Sequence, residues 1–256
     1  MKKRKIVGID EVGRGALAGP IVCASFSLDL KALQEINFLA SKCITIPKSQ
    51  KSQTLLQRLS RLTNYDVGDV KISGSTKTKK NVKNNKTYDL EILKLIFDSK
   101  KVTKNNRIKI ANYLINSKIA KIGFGICSNR LIDSKGIQYA NKLAMLKTLS
   151  TQFRDSDNCF LILTDHLDPR GVRDYKLEGK FDLKTEDKMD SKSFCVACAS
   201  ILAKVYRDEL MGKYHELFPE YGFEKHVGYG TKYHLDQIKE FGLCKIHRKS
   251  FTKNFH

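Results

Sequence analysis

Apolar residues form short runs near the start of the chain, and a polar, glycine-rich bend separates the first two. Ile6, Val7 and Ile9 belong to the first run, and the second begins at Ile21. β-Branched residues are frequent in strands, and glycine with proline between two such runs is typical of a turn. The pattern therefore predicts two neighbouring strands joined by a bend over residues 10–20.

The second half of the chain alternates between strand-like and helix-like patterns. Residues 120–127 and 160–165 are apolar runs of strand length, and the latter ends on an acid. Apolar residues recur at helical spacing in residues 105–116, from Ile132 onward and in residues 196–205. A continuous apolar strand is typical of a sheet covered on both faces, so we expect an α/β fold.

Residues 31–91 differ in composition from the segments on either side, and we interpret them as an insertion. Leucines at helical spacing predict one amphipathic helix around residues 55–62, whereas residues 73–87 are mainly Lys, Asn, Ser, Thr and Gly. Such a segment buries little apolar surface, so we expect a mobile basic loop there. Residues 168–188 are also polar and predict a long connection with a mobile tip.

The charge of the chain indicates its partner. Of the 256 residues, 47 are Lys or Arg and 27 are Asp or Glu, giving a formal net charge of +20. General solubility is one explanation, but so basic a chain favours a polyanionic partner. Nucleic acid fits better than a membrane, because no apolar run approaches the length of a bilayer span. The basic start of the chain lacks a hydrophobic signal region, so we expect a cytoplasmic protein.

Cysteines and histidines offer two metal or redox patterns, neither of which we favour. The seven cysteines are scattered through apolar runs, as expected for buried thiols in a reducing compartment. The CxxC pair at residues 195–198 lies within a predicted helix, which argues against redox or zinc chemistry. A second candidate zinc set has spacings that match no common tetrahedral pattern: His226, His234, Cys244 and His247.

Acidic residues stand at the ends of predicted strands. Asp10 and Glu11 end the first apolar run, and Asp165 ends a later one. Because successive strand side chains point to opposite faces, Asp10 and Glu11 cannot both face one metal ion from a regular strand. One of them would then contribute through a bent backbone or a main-chain carbonyl. Functional groups gather at strand ends in open α/β sheets, which favours a functional role for Asp165. Taken alone, Asp10 and Glu11 beside the glycines are better explained as a solvated acidic pair next to a turn.

Four segments, in the right order, resemble signatures of ribonuclease HII of the bacterial type. These segments are residues 10–20 (DEVGRGALAGP), 98–101 (DSKK), 199–208 (ASILAKVYRD) and 218–251. The chain departs from the family pattern by some sixty residues of added sequence before the second segment. It also has His166 where the family commonly has glycine.

The resemblance implies a ribonuclease H-like fold, with a mixed central sheet flanked by helices and a C-terminal helical extension. We therefore expect a catalytic domain over residues 1–210, interrupted by the insertion at residues 31–91. The extension over residues 211–256 would complete the substrate site. The family cleaves the RNA strand of RNA/DNA hybrids and incises duplex DNA on the 5′ side of an embedded ribonucleotide. It uses Mg or Mn and leaves 3′-hydroxyl and 5′-phosphate ends.

The resemblance also implies which residues carry the reaction. The catalytic and metal-binding carboxylates, which would hold two divalent cations, are Asp10, Glu11, Asp165 and Asp190. Glu186 competes with Asp190 for the fourth position, and an acid placed before a helix is equally consistent with an N-cap. Oxygen ligands select hard divalent cations, and the charge of the metal would keep clustered carboxylates ionised.

Substrate contacts are expected from the first and last matching segments. Gly13, Arg14 and Gly15 would hold the ribose 2′-hydroxyl and the adjacent phosphate, since glycines let the main chain approach a ligand closely. Tyr229 would pack on a sugar, although a core tyrosine with a wet hydroxyl explains it equally well on local grounds. Three further basic residues are candidates for phosphate contacts: Lys100, Lys204 and Arg248.

Two rival interpretations remain at this point. A catalytically inactive nucleic-acid-binding protein explains the charge, but not the acids inside separate matching segments. A ribonuclease HIII typically carries an N-terminal binding domain, for which Asp10 comes too early in this chain. We expect a monomer that acts on RNA/DNA hybrids and on duplex DNA containing ribonucleotides, without a membrane partner.

Overall fold

The computed structural model describes residues 4–29, 92, 95–96, 102–117, 120–153, 159–165, 168, 172 and 181–253. The expectations for the insertion at residues 31–91, for Lys100 and for His166 lie outside these residues.

A mixed five-stranded sheet forms the centre of the described part of the chain. Its strands are β1 (Arg4–Val12), β2 (Ile21–Asp29), β3 (Lys121–Cys127), β4 (Cys159–Thr164) and β5 (Phe181–Thr185). Their order across the sheet is β3-β2-β1-β4-β5. The pairs β1–β2 and β2–β3 are antiparallel, whereas β1–β4 and β4–β5 are parallel. The predicted mixed sheet is confirmed.

Helices cover both faces of this sheet. They are α1 (Lys104–Asn116), α2 (Asn129–Lys135), α3 (Ile137–Phe153), α4 (Phe194–Leu217), α5 (Phe223–His226) and α6 (Lys232–Phe241). α3 packs on one face, against β2 and β3, and α4 packs on the other, against β1 and β2. Each helix thereby closes its own buried apolar cluster. Within the described part of the chain, no helix has the length and apolar content needed to cross a membrane.

α4 lies unusually close to the sheet because β1 has a glycine under it. A Cβ at Gly8 would lie 2.2 Å from the carbonyl carbon of Cys195 and 2.3 Å from the nitrogen of Val196. Both cysteines of the CxxC pair are buried in this helix, and burial raises the pKa of Cys195 to about 12. Their role in the described structure is therefore that of small apolar side chains.

The structure differs from the sequence prediction in two places. The single helix predicted from Ile132 onward is two helices, α2 and α3, which part at Gly136 with φ of +83°. The connection predicted over residues 168–188 contains the strand β5. This strand lies at the edge of the sheet and alternates half-buried with exposed residues, so it lacks the apolar run that marks a central strand.

Candidate active site

The predicted carboxylates lie at one edge of the sheet, where the parallel strands β1, β4 and β5 reach their carboxyl ends. Asp10 lies near the end of β1. Asp165 directly follows β4, one residue beyond the pair formed by Ile9 and Thr164. Asp190 follows β5 in a 3₁₀ turn over Met189–Ser191. Three strand ends therefore present acids along the same edge.

Asp10 and Glu11 lie on opposite faces of the sheet. β1 pairs regularly with β2 as far as Val12, so no bend interrupts the alternation. The hydroxyl of Ser200, on α4, donates a hydrogen bond to the carboxylate of Asp10. The amide of Asn141, on α3, lies beside the carboxylate of Glu11. The expectation that the two side chains cannot share a face is confirmed.

Burial and repulsion by neighbouring acids raise the pKa of Asp10 and of Glu11. Burial raises the pKa of Asp10 to about 7, and the charges of Glu11 and Asp190 add to this rise. Burial also raises the pKa of Glu11, where the charge of Asp165 adds to the rise and that of Arg14 opposes it. Repulsion between carboxylates acts at short range, so Asp10 is coupled to Asp190 and Glu11 to Asp165.

The donor set fits a hard divalent cation. Carboxylate oxygens are the ligands that Mg²⁺ and Mn²⁺ prefer. The Oε2 atom of Glu11 is buried and has no hydrogen-bond partner among the described residues. In this part of the chain no three His, Cys, Asp or Glu side chains are close enough to hold a cation as they stand. Repulsion between the carboxylates is a physical reason for that separation.

Glu186, the competitor for the fourth position, is engaged elsewhere. Its carboxylate pairs with Lys192 at 2.5 Å and with Lys184 at 3.1 Å. These two lysines lower the pKa of Glu186. Asp190 instead adds to the repulsion that raises the pKa of Asp10. Of the two acids, Asp190 is therefore the one whose charge acts on Asp10.

The N-cap interpretation of Asp190 is wrong. The N-cap residue of α4 is Ser193, and its side chain makes no capping hydrogen bond. Asp190 precedes it by three residues, within the 3₁₀ turn. The main-chain nitrogen of Lys188, just before that turn, donates to Oδ1 of Asp165 at 3.0 Å. This bond ties the turn to the end of β4, so the turn belongs to the acidic edge.

Two residues that lie beside the acids are not predicted from the sequence. Ser200 and Asn141 contact the two buried carboxylates from the helices on either face. Asn141 is a polar residue on the core-facing side of α3, where it is 1 % exposed. A polar residue on the apolar stripe of a helix is the signal that could have found Asn141. Ser200 has a weaker signal, because serine is common in closely packed helices.

The loop between β1 and β2 has two glycines with different surroundings. Gly13 has φ of +88°, and a Cβ there would lie 2.2 Å from the Nε atom of Arg207. At Gly15 a Cβ would meet nothing within 4 Å, and both Gly15 and Arg14 are exposed. Gly13 is therefore required by the backbone and the packing, whereas Gly15 borders open space that a substrate can enter.

Arg248 corrects a sequence prediction. The sequence makes its guanidinium a candidate for a phosphate contact, but the residue is fully buried. It donates to the carbonyl oxygens of Gly13 at 2.7 Å, Arg14 at 3.0 Å and Gly19 at 2.9 Å. The phosphate-contact prediction is wrong because the donors of this side chain point at the main chain inside the protein. A sequence does not distinguish a buried arginine from an exposed one.

Arg207 holds the same loop from the other side. It is also fully buried and donates to the carbonyl oxygens of Ala18, Pro20 and Val227 at 3.1, 3.1 and 2.8 Å. Its guanidinium carbon lies 5.4 Å from the centroid of the Tyr229 ring. One side chain therefore joins the first loop to the C-terminal segment that carries Tyr229. Lys204, another phosphate candidate, pairs with Asp208 at 2.8 Å.

Tyr229 is half-buried beside the first loop. The carbonyl oxygen of the preceding Gly228 accepts hydrogen bonds from the nitrogens of Leu17 at 2.8 Å and Ala18 at 3.2 Å. The nitrogen of Arg248 donates to the carbonyl oxygen of Leu17 at 2.8 Å. These bonds hold the main chain next to Tyr229 against residues 17–18 of the loop between β1 and β2.

Histidines behind Tyr229 form a hydrogen-bonded chain. The Nδ1 atom of His234 lies 2.9 Å from the carbonyl oxygen of Tyr229, and its Nε2 atom lies 3.0 Å from Nε2 of His247. The nitrogen of Cys244 donates to Nδ1 of His247 at 2.9 Å. One assignment satisfies every contact: both rings are neutral, His247 donates to His234, and His234 donates to Tyr229.

His226 completes this cluster. Its Nε2 atom lies 2.7 Å from the carbonyl oxygen of Tyr221, and its Nδ1 atom accepts from the nitrogen of Gly228 at 3.2 Å. Its ring stacks on that of His234, with centroids 4.3 Å apart. The ring nitrogens of the candidate zinc set are thus engaged in hydrogen bonds within the protein.

Because these histidines are neutral in the folded protein, we expect the protein to lose stability in acid. Burial lowers the pKa of His234 and of His247 to about 4, against about 6.5 in an unfolded chain. Between these values the unfolded chain binds more protons than the folded one, so the free energy of unfolding falls as pH falls from about 6.5 to 4. We expect His247→Asn to flatten that part of the profile by on the order of 2 kcal/mol.

Urea denaturation at a series of pH values measures this effect. The control is His215→Asn, because His215 pairs with Glu224 at 3.5 Å and makes none of the hydrogen bonds that link His234 to His247. Equal slopes for the wild type and His247→Asn between pH 4 and 6.5 would show that the buried cluster is not the source.

The fold is that of solved type 2 ribonucleases H. The ribonuclease H2 of Pyrococcus horikoshii OT3 matches with a TM-score of 0.63 and 19 % identity, covering 98 % of this chain and 96 % of that one. Bst-RNase HIII, solved in complex with Mn²⁺, matches with a TM-score of 0.53 and 15 % identity, covering 94 % and 64 %. At these identities the likeness shows the fold alone. The predicted ribonuclease H-like fold is confirmed.

The sequence comparisons go further. The family model described as Ribonuclease HII matches residues 7–96 and 81–254. The ribonuclease HII of Clostridium perfringens is 34 % identical over 250 residues, which cover 97 % of this chain and 67 % of that protein. The chain therefore belongs to the ribonuclease HII family, as the four sequence segments predict. Its activity is that of a ribonuclease H, an endoribonuclease acting on RNA/DNA hybrids.

Proposed function

We propose that the acidic edge of the sheet hydrolyses the phosphodiester on the 5′ side of a ribonucleotide. The substrates are RNA/DNA hybrids and duplex DNA with an embedded ribonucleotide, and the products carry 3′-hydroxyl and 5′-phosphate ends. The observation that carries the proposal is the position of the glycine loop, residues 13–15, which directly continues the strand that carries Asp10 and Glu11. Exposed main chain capable of contacting a ribose thus adjoins the acids.

We assign four carboxylates to hold two divalent cations, Mg²⁺ or Mn²⁺: Asp10, Glu11, Asp165 and Asp190. When bound, these cations activate water and stabilise the leaving 3′-oxygen in an in-line displacement at phosphorus. The buried, unpartnered Oε2 of Glu11 and the raised pKa of Asp10 support the assignment, because a cation offsets both costs. Mn²⁺ in Bst-RNase HIII, which shares the fold, is consistent with it.

The surrounding side chains orient these acids. Ser200 donates to the carboxylate of Asp10 and opposes the rise in its pKa, so it favours the ionised form that binds a cation. Asn141 has the same effect on Glu11 from the opposite face of the sheet. No protein nucleophile is assigned, since attack by water needs none.

We assign recognition of the ribose to the glycine loop and Tyr229. The main chain at Gly13, Arg14 and Gly15 reaches the 2′-hydroxyl, which distinguishes RNA from DNA, and the adjacent phosphate. Tyr229 packs on the sugar of the following nucleotide. Hydrogen bonds from the nitrogens of Leu17 and Ala18, just beyond these glycines, to the carbonyl oxygen of Gly228 support this arrangement, because they hold the segment that carries Tyr229 against the first loop.

We also propose that residues 1–210 form the catalytic domain and that residues 211–256 complete its substrate site. The helix α4 runs through this division and ends at Leu217, so the two parts share one helix. The contacts of Gly228 and Arg248 with the first loop support a joint site.

Tyr229→Ala tests this function. A stacking contact to one nucleotide is worth about 1–3 kcal/mol, or roughly tenfold to over a hundredfold. We expect the variant to lose this factor on a DNA duplex with one ribonucleotide. The loss on a long hybrid should be smaller, because many alternative registers are available there. The measurement is kcat/KM for both substrates, side by side, at fixed salt and metal.

Tyr233→Ala is the matched control, since Tyr233 belongs to the same extension but is 46 % exposed. It should leave both rates unchanged. If Tyr229→Ala slows both substrates equally, or neither, the tyrosine does not recognise the ribonucleotide junction. Failure of the wild type to cleave either substrate in Mg²⁺ or Mn²⁺ would overturn the proposed function itself.

A further inference from the structure

Arg248 determines which way two peptide groups of the glycine loop face. Its Nη2 and Nη1 atoms donate to the carbonyl oxygens of Gly13 and Arg14, so these two oxygens point into the protein. The described residues contain no cis peptide bond. In a trans peptide the N–H lies opposite the C=O. The N–H groups of Arg14 and Gly15 therefore point away from Arg248, toward the exposed side of the loop.

These two N–H groups are available to a ligand. Among the described residues, no acceptor is bonded to the nitrogen of Arg14 or of Gly15. Both residues are exposed, and a Cβ at Gly15 would meet no atom within 4 Å. A buried main-chain donor without a partner would be costly, but these donors face solvent and the substrate. The loop thus presents two adjacent donors, while the carbonyl groups of the same two peptides face Arg248.

The charge of Arg248 strengthens those donors. Its guanidinium is fully buried, and within the described part of the chain no carboxylate lies at ion-pair distance from it. A carbonyl that accepts from a cation is polarised, and its peptide N–H becomes a better donor. Burial and the neighbouring charge of Arg207 lower the pKa of Arg248 to about 9, so the charge persists at neutral pH.

An unpaired buried cation is expensive to keep. A lysine would carry the same charge, but it lacks the planar fork that reaches three carbonyl oxygens at once. Arg248 uses all three nitrogens for this purpose, on Gly13, Arg14 and Gly19. Arg207 already holds the end of the loop through Ala18 and Pro20. Holding the loop in place therefore does not by itself require the three hydrogen bonds of Arg248.

We propose that Arg248 is a positioning residue that sets the selectivity for ribose. It turns the N–H groups of Arg14 and Gly15 toward the substrate and polarises them, so that they favour an oxygen acceptor such as the 2′-hydroxyl over a 2′-hydrogen. This inference rests on the proposed function, which places the ribose at this loop. Arg248 itself touches neither substrate nor cation.

Arg248→Lys separates this role from a phosphate contact. Two quantities are measured in one assay: kcat/KM for a duplex with one ribonucleotide, and the inhibition constant Ki of an all-DNA duplex of the same sequence. We expect kcat/KM to fall about tenfold, because a net hydrogen bond contributes on the order of a tenfold factor. The Ki should stay within about twofold, since the phosphate contacts that govern it are unaltered.

Lys249→Gln is the matched control, as it removes a neighbouring charge that is exposed. In this variant any change in kcat/KM should be matched by the change in affinity for the all-DNA duplex, so the preference for the ribonucleotide duplex should not change. For Arg248→Lys, unchanged kcat/KM would overturn the proposal. A parallel loss of kcat/KM and of affinity for the all-DNA duplex would also overturn it, because that result defines a phosphate contact.

If Arg248→Lys does not fold, the proposal is tested on the wild-type protein by NMR. The ¹⁵N-labelled amides of Arg14 and Gly15 should shift downfield when the ribonucleotide duplex binds, and not when the all-DNA duplex binds. Equal shifts with both duplexes, or none, would contradict the proposal. If the wild-type protein does not cleave the ribonucleotide duplex at all, the proposed function is wrong. That outcome is distinguishable from failure of this proposal, because it is seen in the wild-type protein without any variant.

Discussion

Asp10→Asn is expected to lower kcat for hybrid cleavage by about a thousandfold or more. Asp10 is a half-buried acid of this edge, and the charges of Glu11 and Asp190 raise its pKa. An amide is a poorer ligand than a carboxylate and carries no charge. The cations that the acids would hold contribute several kcal/mol to the transition state, which corresponds to a loss of this size. Asp165→Asn should have a similar effect.

Binding should respond differently from turnover. Affinity for the duplex rests mainly on phosphate contacts with basic residues, so the dissociation constant should stay within about twofold. The control is Asp182→Asn, an exposed acid on β5 that should keep full activity. Turnover near that of the wild type in Asp10→Asn would overturn the metal-site assignment. Loss of binding together with turnover would place Asp10 in the substrate surface instead.

Gly15→Ala is expected to lower kcat/KM at a single embedded ribonucleotide by about tenfold or more, without loss of stability. The added methyl group meets no protein atom within 4 Å, so folding is unaffected. It stands on the exposed face, where the proposed function brings main-chain groups close to the 2′-hydroxyl. The melting temperature and kcat/KM, measured on the same preparation, separate the two effects.

Gly13→Ala should combine lost activity with lost stability. Its φ of +88° disfavours any side chain by about 1–2 kcal/mol, and the new Cβ would collide with Arg207. Gly212→Ala is the control, because Gly212 lies in α4 with open space around its Cβ position. That variant should be active and slightly stabilised, by roughly 1 kcal/mol at most. If Gly15→Ala is fully active at a single ribonucleotide, the loop does not recognise the ribose.

Much of the fold follows from apolar patterning. Strands β2 and β3 are buried almost throughout, and the described residues of β1 and β4 are buried or half-buried, so their mainly apolar sequences show their type and position. The edge strand β5 is exposed on one face and contains Lys184 and Asp182, so its sequence resembles a loop. The break between α2 and α3 depends on the positive φ of Gly136. The spacing of apolar residues along a helix does not show such a break.

For the site, the sequence indicates the positions of the acids but not their surroundings. Strand alternation correctly separates Asp10 from Glu11, because it depends only on local geometry. The interpretation of Arg248 as a phosphate ligand is wrong because its burial depends on the C-terminal segment folding back onto the first loop. That contact joins residues more than two hundred positions apart, and no local pattern records it.

The most direct test of the account maps the cut made by the purified protein. The substrate is an end-labelled DNA duplex with one ribonucleotide, incubated with Mg²⁺, with Mn²⁺ or with EDTA, beside an all-DNA duplex of the same sequence. We predict a single cut on the 5′ side of the ribonucleotide, with a 3′-hydroxyl end, in Mg²⁺ or Mn²⁺ and none in EDTA. Cleavage of the all-DNA duplex, a cut at another position, or a cut that persists in EDTA would contradict the account.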